Sequence, residues 1–277
     1  MPIASLYVVA TPIGNLEDIT LRALKVLASA TVIAAEDTRR SRVLLSHHGI
    51  DRPLIALHEH NEENQAPRLV ERLLADEPVA LISDAGTPLL SDPGYRLIRL
   101  AAEAGIDIVA VPGPSAVTAA LSVAGLPTDR FTFEGFLPAK GSARLKRLEA
   151  LRAEQRTMVF FESSHRIEAS LADLAATFGP SRQAALCREL TKQFETVLRG
   201  ALEEIRKRVA DDPNQRKGEF VILLAGCPED GDSTLAQAVR LANELKEHLG
   251  ASQAARVASR IHGSSRREVY RAIDSTD

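Results

Sequence analysis

Four short apolar runs each break into small, turn-forming and acidic residues, and those breaks hold the groups best placed to do chemistry. Residues 8–10 lead into Thr11-Pro12-Ile13-Gly14-Asn15, and residues 32–35 lead into Glu36-Asp37. Residues 79–82 lead into Ser83-Asp84-Ala85-Gly86-Thr87-Pro88 and on to Ser91-Asp92-Pro93-Gly94, and residues 108–111 lead into Pro112-Gly113-Pro114-Ser115-Ala116. Ligands of open α/β sheets sit just beyond the carboxyl ends of the strands, so four such loops are expected to line one crevice. The loops are not phosphate cradles. Thr11 to Asn15 lacks the GxGxxG of a dinucleotide fold, and the order of Gly135-Phe136-Leu137-Pro138-Ala139-Lys140-Gly141 is wrong for a P-loop. His58-Glu59-His60 lacks the four-residue helical separation that puts two imidazoles on one metal, so no metal is expected. What remains is a pocket of backbone groups, hydroxyls and carboxylates. It suits a ligand with an amino-acid end and a nucleoside end: backbone groups for the adenine edge, Ser83 or Ser115 for hydroxyls, Asp84 for an ammonium or ribose.

These loops need a parallel sheet behind them. Strand-like runs at 6–10, 32–35, 54–57, 79–83 and 108–111 alternate with helical stretches, the rhythm of βαβ units. In the first helix Leu21, Leu24, Leu27 and Ala28 share a face, with Asp18 available as N-cap. Gly125-Leu126-Pro127-Thr128-Asp129 interrupts the pattern and marks a boundary. Beyond it, strands are expected at 131–136, 157–162, 184–187, 194–198 and 220–225, with helices at about 143–154, 164–177 and 201–210, a smaller mixed sheet. A polar hinge at 227–232 leads into three helical segments, and Ser265 with Glu268 forms a capping box for the last. The expected class is α/β, with two α/β domains at 1–125 and 126–228, a crevice between them, and a small helical tail at 229–277.

The 277 residues are 45% hydrophobic, enough for roughly two ordinary domains. Lys+Arg 34 against Asp+Glu 37 gives a formal charge of -3, so no global basic field advertises nucleic acid. A polyanion would meet local patches. Lys140, Arg144, Lys146, Arg147, Arg152 and Arg156 form one, opposed by Glu149 and Glu154; it reads as a phosphate track or as a solvated helix face. Arg39, Arg40 and Arg42 form a second. Aromatic residues are 4% with no tryptophan, against an extended base-stacking platform. Cys187 and Cys227 stand in strand-like text without a CxxC pattern and read as reduced core residues of a cytoplasmic protein. With no apolar run near ~18 residues and no basic leader before residue 10, a soluble chain is expected, with no membrane partner.

Across nearly the whole chain, in order and spacing, Thr11 to Thr20, Ala35-Glu36-Asp37-Thr38-Arg39, Ser83 to Gly94, Val111 to Ala116 and Arg188-Glu189-Leu190-Thr191-Lys192 are similar to one family. The chain resembles the bacterial ribosomal RNA small-subunit methyltransferase I family, whose fold is similar to that of the tetrapyrrole methylases. The resemblance implies S-adenosylmethionine bound between two α/β domains, 2'-O-methylation of a cytidine ribose, and a homodimer. Its partner would be small-subunit ribosomal RNA or the small ribosomal subunit. Two positions depart from the family pattern. Ser164 stands where a proline is expected in Glu162-Ser163-Ser164-His165-Arg166, and Cys187 stands where an acidic residue is expected. A tetrapyrrole-precursor methyltransferase of the same fold is an alternative, disfavoured by Thr11 to Asn15 in place of a glycine-proline-glycine-aspartate loop. A non-catalytic RNA-binding assembly factor is another.

Carried over by position, Pro12 and Ile13 flank the cofactor, Ile82, Ser83, Asp84 and Thr87 hold its methionine and ribose portions, and Ser115 and Ala116 lie alongside. Phe161, Glu162, Glu219 and Phe220 close over adenine. Methyl transfer from a sulfonium is an in-line displacement that needs alignment and water exclusion, and a ribose hydroxyl needs a base. Asp37 is the expected base, with Glu36 its nearest alternative; capping the helix that starts at Thr38 accounts for Asp37 as well. Lys192 and Glu195 reach the pocket or form a surface pair. His60, Asn61 and Glu62 orient the cytidine or belong to an ordinary loop. RNA contacts are expected from Arg39, Arg40, Lys140, Arg144, Lys146, Arg147 and Arg166. Arg266 and Arg267 open the last helix, as in a helix-turn-helix module or a simple packing cap.

Overall fold

Short β-branched runs bounded by turns form parallel strands only when helices cover both of their faces, and the loops of the first half permit that cover. In the computed structural model, which describes residues 4–227 and 234–274, β1 (Leu6–Val9), β2 (Val32–Ala35), β3 (Leu54–Ala56), β4 (Val79–Ile82) and β5 (Ile108–Val111) make one all-parallel sheet in the order β3-β2-β4-β1-β5. Every residue of β2 and β4 is buried. The helices are α1 (Leu21–Ser29), α2 (Thr38–His47), α3 (Glu62–Leu74), α4 (Tyr95–Glu103) and α5 (Ala116–Ala124). The N-cap of α1 differs from expectation. Thr20 Oγ1 accepts from the Ala23 amide at 3.1 Å, whereas Asp18 ends a separate 3-10 turn, Leu16–Asp18, that Asn15 caps. Extended backbone at Ile19 separates the two, so the capping position falls to Thr20.

The second sheet contains β6 (Phe131–Phe136), β7 (Thr157–Ser163), β8 (Gln183–Arg188), β9 (Thr196–Ala201) and β10 (Glu219–Leu224) in the order β6-β7-β10-β8-β9. It is mixed, with β6 parallel to β7 and the other pairs antiparallel. On one face Met158, Phe160, Leu186, Ile222 and Leu224 pack with residues of α6 (Gly141–Ala150), α7 (Ile167–Phe178) and α8 (Leu202–Asp211). On the other, Val159, Ala185, Cys187, Val221 and Leu223 pack with Val117, Ala120, Leu121 and Ala124 of α5. A helix of the first half thus covers the sheet of the second, and residues 1–152 and 156–225 cohere as one compact unit. The strand expected at 194–198 lies later, at β9. Gly200 pairs with Ala184 inside the strand, while Phe194 stays outside and exposed.

Residues 153–155 and 226–277 form the second unit. Its helices α9 (Thr234–Leu249), α10 (Ala251–His262) and α11 (Arg266–Asp274) meet through Ala238, Ala242, Ala254, Ala255 and Ala258, with Val269 and Ile273 closing the core. α11 begins directly after Ser265, whose carbonyl accepts from the Val269 amide at 3.0 Å. Of the expected hinge at 227–232, only Cys227 lies within the described residues.

Candidate functional site

Hydrogen bonds tie the four loops to one another at the carboxyl ends of β1, β2, β4 and β5. Thr11 and Gly86 exchange both backbone bonds, at 2.9 and 3.0 Å, joining the β1 and β4 loops. Thr11 Oγ1 adds a bond to the Ser83 carbonyl at 3.2 Å. The Asp37 amide donates to Asp84 Oδ1 at 2.9 Å and Arg40 donates to Asp84 Oδ2 at 3.0 Å, joining β2 to β4. Thr87 Oγ1 donates to the Pro114 carbonyl at 3.1 Å, joining β4 to β5. The segment after β8 closes on this assembly: the Asn15 amide donates to Thr191 Oγ1 at 3.1 Å, and Gly14 packs against Leu190, Thr191 and Lys192. A Cβ on Gly14 would stand 2.4 Å from Lys192 Cγ and 3.0 Å from the Leu190 carbonyl. Gly14→Ala therefore destabilises the chain by about 1–3 kcal/mol as the backbones part. Chemical denaturation reads this, and a stability equal to wild type contradicts the close packing.

Between the loops and the second sheet lies a cavity of about 470 Å³, within the roughly 300–1,000 Å³ of small-ligand sites. Of the residues expected to bind a cofactor, Ile13, Asp84, Thr87, Ser115, Ala116, Phe161, Glu162, Glu219 and Phe220 all line it. Pro12, Ile82 and Ser83 are buried and do not line it. Ser83 holds the loop together instead, with its hydroxyl toward the Ala85 carbonyl at 3.3 Å and the Asp92 carboxyl as a further partner.

The cavity is acidic on one side. Glu36, Asp84 and Asp92 line it, with Arg40 as the cation among them. Burial, then the negative charge of Asp84, raises the Glu36 pKa above its ordinary value. Burial, then Glu36, pushes Asp92 up to about 6, although the Ser83 bond works against that shift. No sequence signal singles out Asp92 beyond the turn-rich string around it. That turn is unusual, because Leu89 and Ser91 both adopt left-handed backbone, at φ 76° and 72°; such strain gathers at functional sites.

Asp37 is placed differently from the base it was expected to be. Its Oδ1 accepts from the Arg39 amide at 2.8 Å and caps α2, its carboxylate pairs with the Arg39 guanidinium at 3.0 Å, and it does not line the cavity. The Arg39 bonds hold Asp37 down to about 2, which leaves a feeble base. Lys192 also stays outside the lining. It donates to Glu189 at 2.9 Å and to Glu219 at 2.8 Å. Burial opposes its charge, but those bonds prevail and hold its pKa above the usual value. A lysine so held tethers Glu219 and cannot accept a proton.

The expected RNA contacts divide. Arg144 is buried and paired with Asp173 at 2.7 Å. Arg166 serves the buried Glu162 carboxylate at 2.7 Å and also donates to the Leu137 carbonyl at 3.0 Å. Both cations are committed to the fold, which corrects their place in a phosphate track. Lys140 and Lys146 are exposed, Arg147 is exposed and pairs with Glu134, and Arg39 is exposed beside Asp37. His60 does not line the cavity, Asn61 bridges the Ala56 carbonyl and the His58 amide, and Glu62 accepts from the Arg96 amide at 2.7 Å at the start of α4. Asn61 and Glu62 thus shape their own loop. Cys187 and Cys227 are free thiols. Cys187 lines the cavity, and burial pushes its thiol up to about 12, an inert group. Among the described residues no cluster of His, Cys, Asp and Glu could hold a metal, and no helix is long and apolar enough to cross a membrane.

Carboxylates on one side and Phe161, Phe220, Leu190 and Ile13 on the other make a donor set for a cation with an aromatic part. The family model described as Tetrapyrrole (Corrin/Porphyrin) Methylases matches residues 5–206, and the chain belongs to that family. Solved structures share the fold: the uroporphyrin-III-C-methyltransferase of Thermus thermophilus at 22% identity, covering 80% of this chain and 94% of that one, with a TM-score of 0.58, and diphthine synthase at 19%, covering 80% and 90%, with 0.59. Much nearer in sequence are proteins named ribosomal RNA small subunit methyltransferase I. That of Xylella fastidiosa (strain Temecula1) is 54% identical over 96% of this chain and 97% of its own length, and that of Pseudomonas aeruginosa is 51% identical over 98% and 96%. Within the tetrapyrrole methylases, the chain groups with these proteins. A model described as the RsmI C-terminal HTH domain matches residues 232–274.

Proposed function

We propose that this chain is an S-adenosylmethionine-dependent methyltransferase acting on the 2'-oxygen of a cytidine ribose in small-subunit ribosomal RNA. The observation that carries the reading is the cavity itself, acidic at Glu36, Asp84 and Asp92 and aromatic at Phe161 and Phe220. Its charge suits a sulfonium and an ammonium, and the printed name of the relatives supports the ribosomal substrate. S-adenosylmethionine supplies an activated methyl group when bound. The chain supplies the rest. Asp84, fixed by the Asp37 amide and Arg40, presents a preorganised carboxylate to the cationic portion. Ser115, Ala116 and Thr87 shape the wall that excludes water, while Phe161 and Phe220 receive the adenine. Asp92 takes the hydroxyl proton on a carboxylate oxygen, kept basic enough to do so by its burial and then by the charge of Glu36. Lys140, Lys146 and Arg147 contribute phosphate contacts. The reading keeps the divisions at 125/126 and 228/229, drawn from the turn-rich and polar breaks in the sequence, a cytoplasmic location, drawn from the cysteine usage, and a homodimer, drawn from the family resemblance.

Only ionised Asp92 can accept a proton, so kcat/KM for the cofactor falls as pH drops through about 6. A kcat/KM unchanged between pH 5 and 8 contradicts this role. Calorimetric titration with S-adenosylmethionine tests the site: saturable heat at one site per chain is expected, and its absence removes the proposal.

A further inference from the structure

The pairing of β6 with β7 shifts between Phe133 and Gly135, which marks a bulge. Side chains alternate along a regular strand, so Phe133 and Phe136, three residues apart, would face opposite sides. With the bulge both rings reach Phe161, at centroid separations of 4.8 and 5.5 Å. Gly135 makes the turn possible: its φ is +66°, and a Cβ there would stand 3.3 Å from Ser91 Oγ in the β4–α4 loop. The bulge thus aims Phe136 at the rim of the cavity, where the residue stays 52% exposed, with Leu90, 37% exposed, on the same lining. An aromatic ring turned into a ligand site and left half in water lacks a partner for its free face.

We propose that Phe136 is the platform on which the base of the target nucleotide stacks while its ribose enters the cavity, an inference that rests on the RNA-methylation reading. A ribose hydroxyl cannot reach a half-buried acid inside the cavity, such as Asp92, while its nucleotide stays in a helix, so the nucleotide must leave the stack. Unstacking costs a few kcal/mol, and a ring facing the displaced base offsets part of it. One ring suffices for one base, in keeping with a chain that is 4% aromatic. Every base has a π face, so Phe136 holds the nucleotide without selecting cytosine. Lys140, exposed at the start of α6, follows Phe136 by four residues and meets the adjoining phosphate.

Three variants test the platform with small ribosomal subunits that lack the modification. Phe136→Ala and Phe136→Leu raise KM for the subunit roughly 5- to 150-fold, the range of base–aromatic stacking, while the dissociation constant for S-adenosylmethionine changes less than about twofold. The leucine variant keeps the apolar volume, so it separates stacking from packing. Phe136→Trp retains activity. Because the chain has no tryptophan of its own, its emission reports this position alone, and it is quenched by subunits and not by S-adenosylmethionine. A leucine variant as efficient as wild type overturns the proposal. So does a cofactor affinity that falls in step with methylation, which would give the ring to adenine. Failure of the underlying reading is distinct: there the wild-type chain itself transfers no methyl group to the subunit, and the platform falls with it.

Discussion

Asp92→Asn lowers methyl transfer about 10²- to 10⁴-fold, the contribution of a positioned base, while S-adenosylmethionine still binds. Asp37→Asn, in contrast, leaves turnover within about twofold, because asparagine caps a helix as well as aspartate does. The contrast follows from placement. Asp92 lines the cavity beside Glu36 and Asp84 and sits near 6, whereas Asp37 faces Arg39, lies outside the lining and sits near 2. Single-turnover transfer of labelled methyl, with cofactor affinity measured in parallel, reads both variants. Loss of turnover in Asp37→Asn with full activity in Asp92→Asn would reverse the assignment.

Glu162→Ala destabilises the chain by about 3–5 kcal/mol, the cost of breaking a buried charge pair from one side. The Glu162 side chain is wholly buried and accepts from the Ser163 amide at 2.8 Å, Ser170 Oγ at 2.6 Å and Arg166 at 2.7 Å. Removing it leaves the Arg166 charge uncompensated and the Ser170 hydroxyl without its acceptor. Because Ser163 and Ser164 line the cavity directly after it, cofactor affinity falls as well. Glu162→Gln keeps the volume and some of the hydrogen bonds and loses less. Urea denaturation separates the two, and a cost below about 1 kcal/mol for the alanine variant contradicts this account of the network.

The parallel sheet and its loops were legible because they depend on neighbours in sequence. An apolar run that breaks into glycine, proline and acid declares a strand and its turn in one string, as at Ile82 to Gly86. Helix ends were less legible: Asp18 and Thr20 can both cap, and only the extended backbone at Ile19 decides between them. Charged side chains were the least legible. Arg144 and Lys146 look alike in a basic helix, but Asp173 waits for Arg144 across the fold, and among the described residues no carboxylate pairs with the exposed Lys146. Arg166 reads as a phosphate contact until Glu162 is seen beneath it. Asp92 owes its raised pKa first to burial and then to Glu36, which the pairing of β2 with β4 helps bring near, and neither is visible in the sequence. Phe136 ends the strand expected at 131–136, and its exposure comes from a bulge that no spacing in the sequence announces.

The most direct test incubates the chain and methyl-labelled S-adenosylmethionine with small ribosomal subunits lacking the modification, then digests the RNA and maps the label. Label on the ribose of a single cytidine, at a linkage resistant to nucleases that need a free 2'-hydroxyl, is the predicted result. Label on a base, or none in the RNA alongside label on a tetrapyrrole in a parallel reaction, contradicts it.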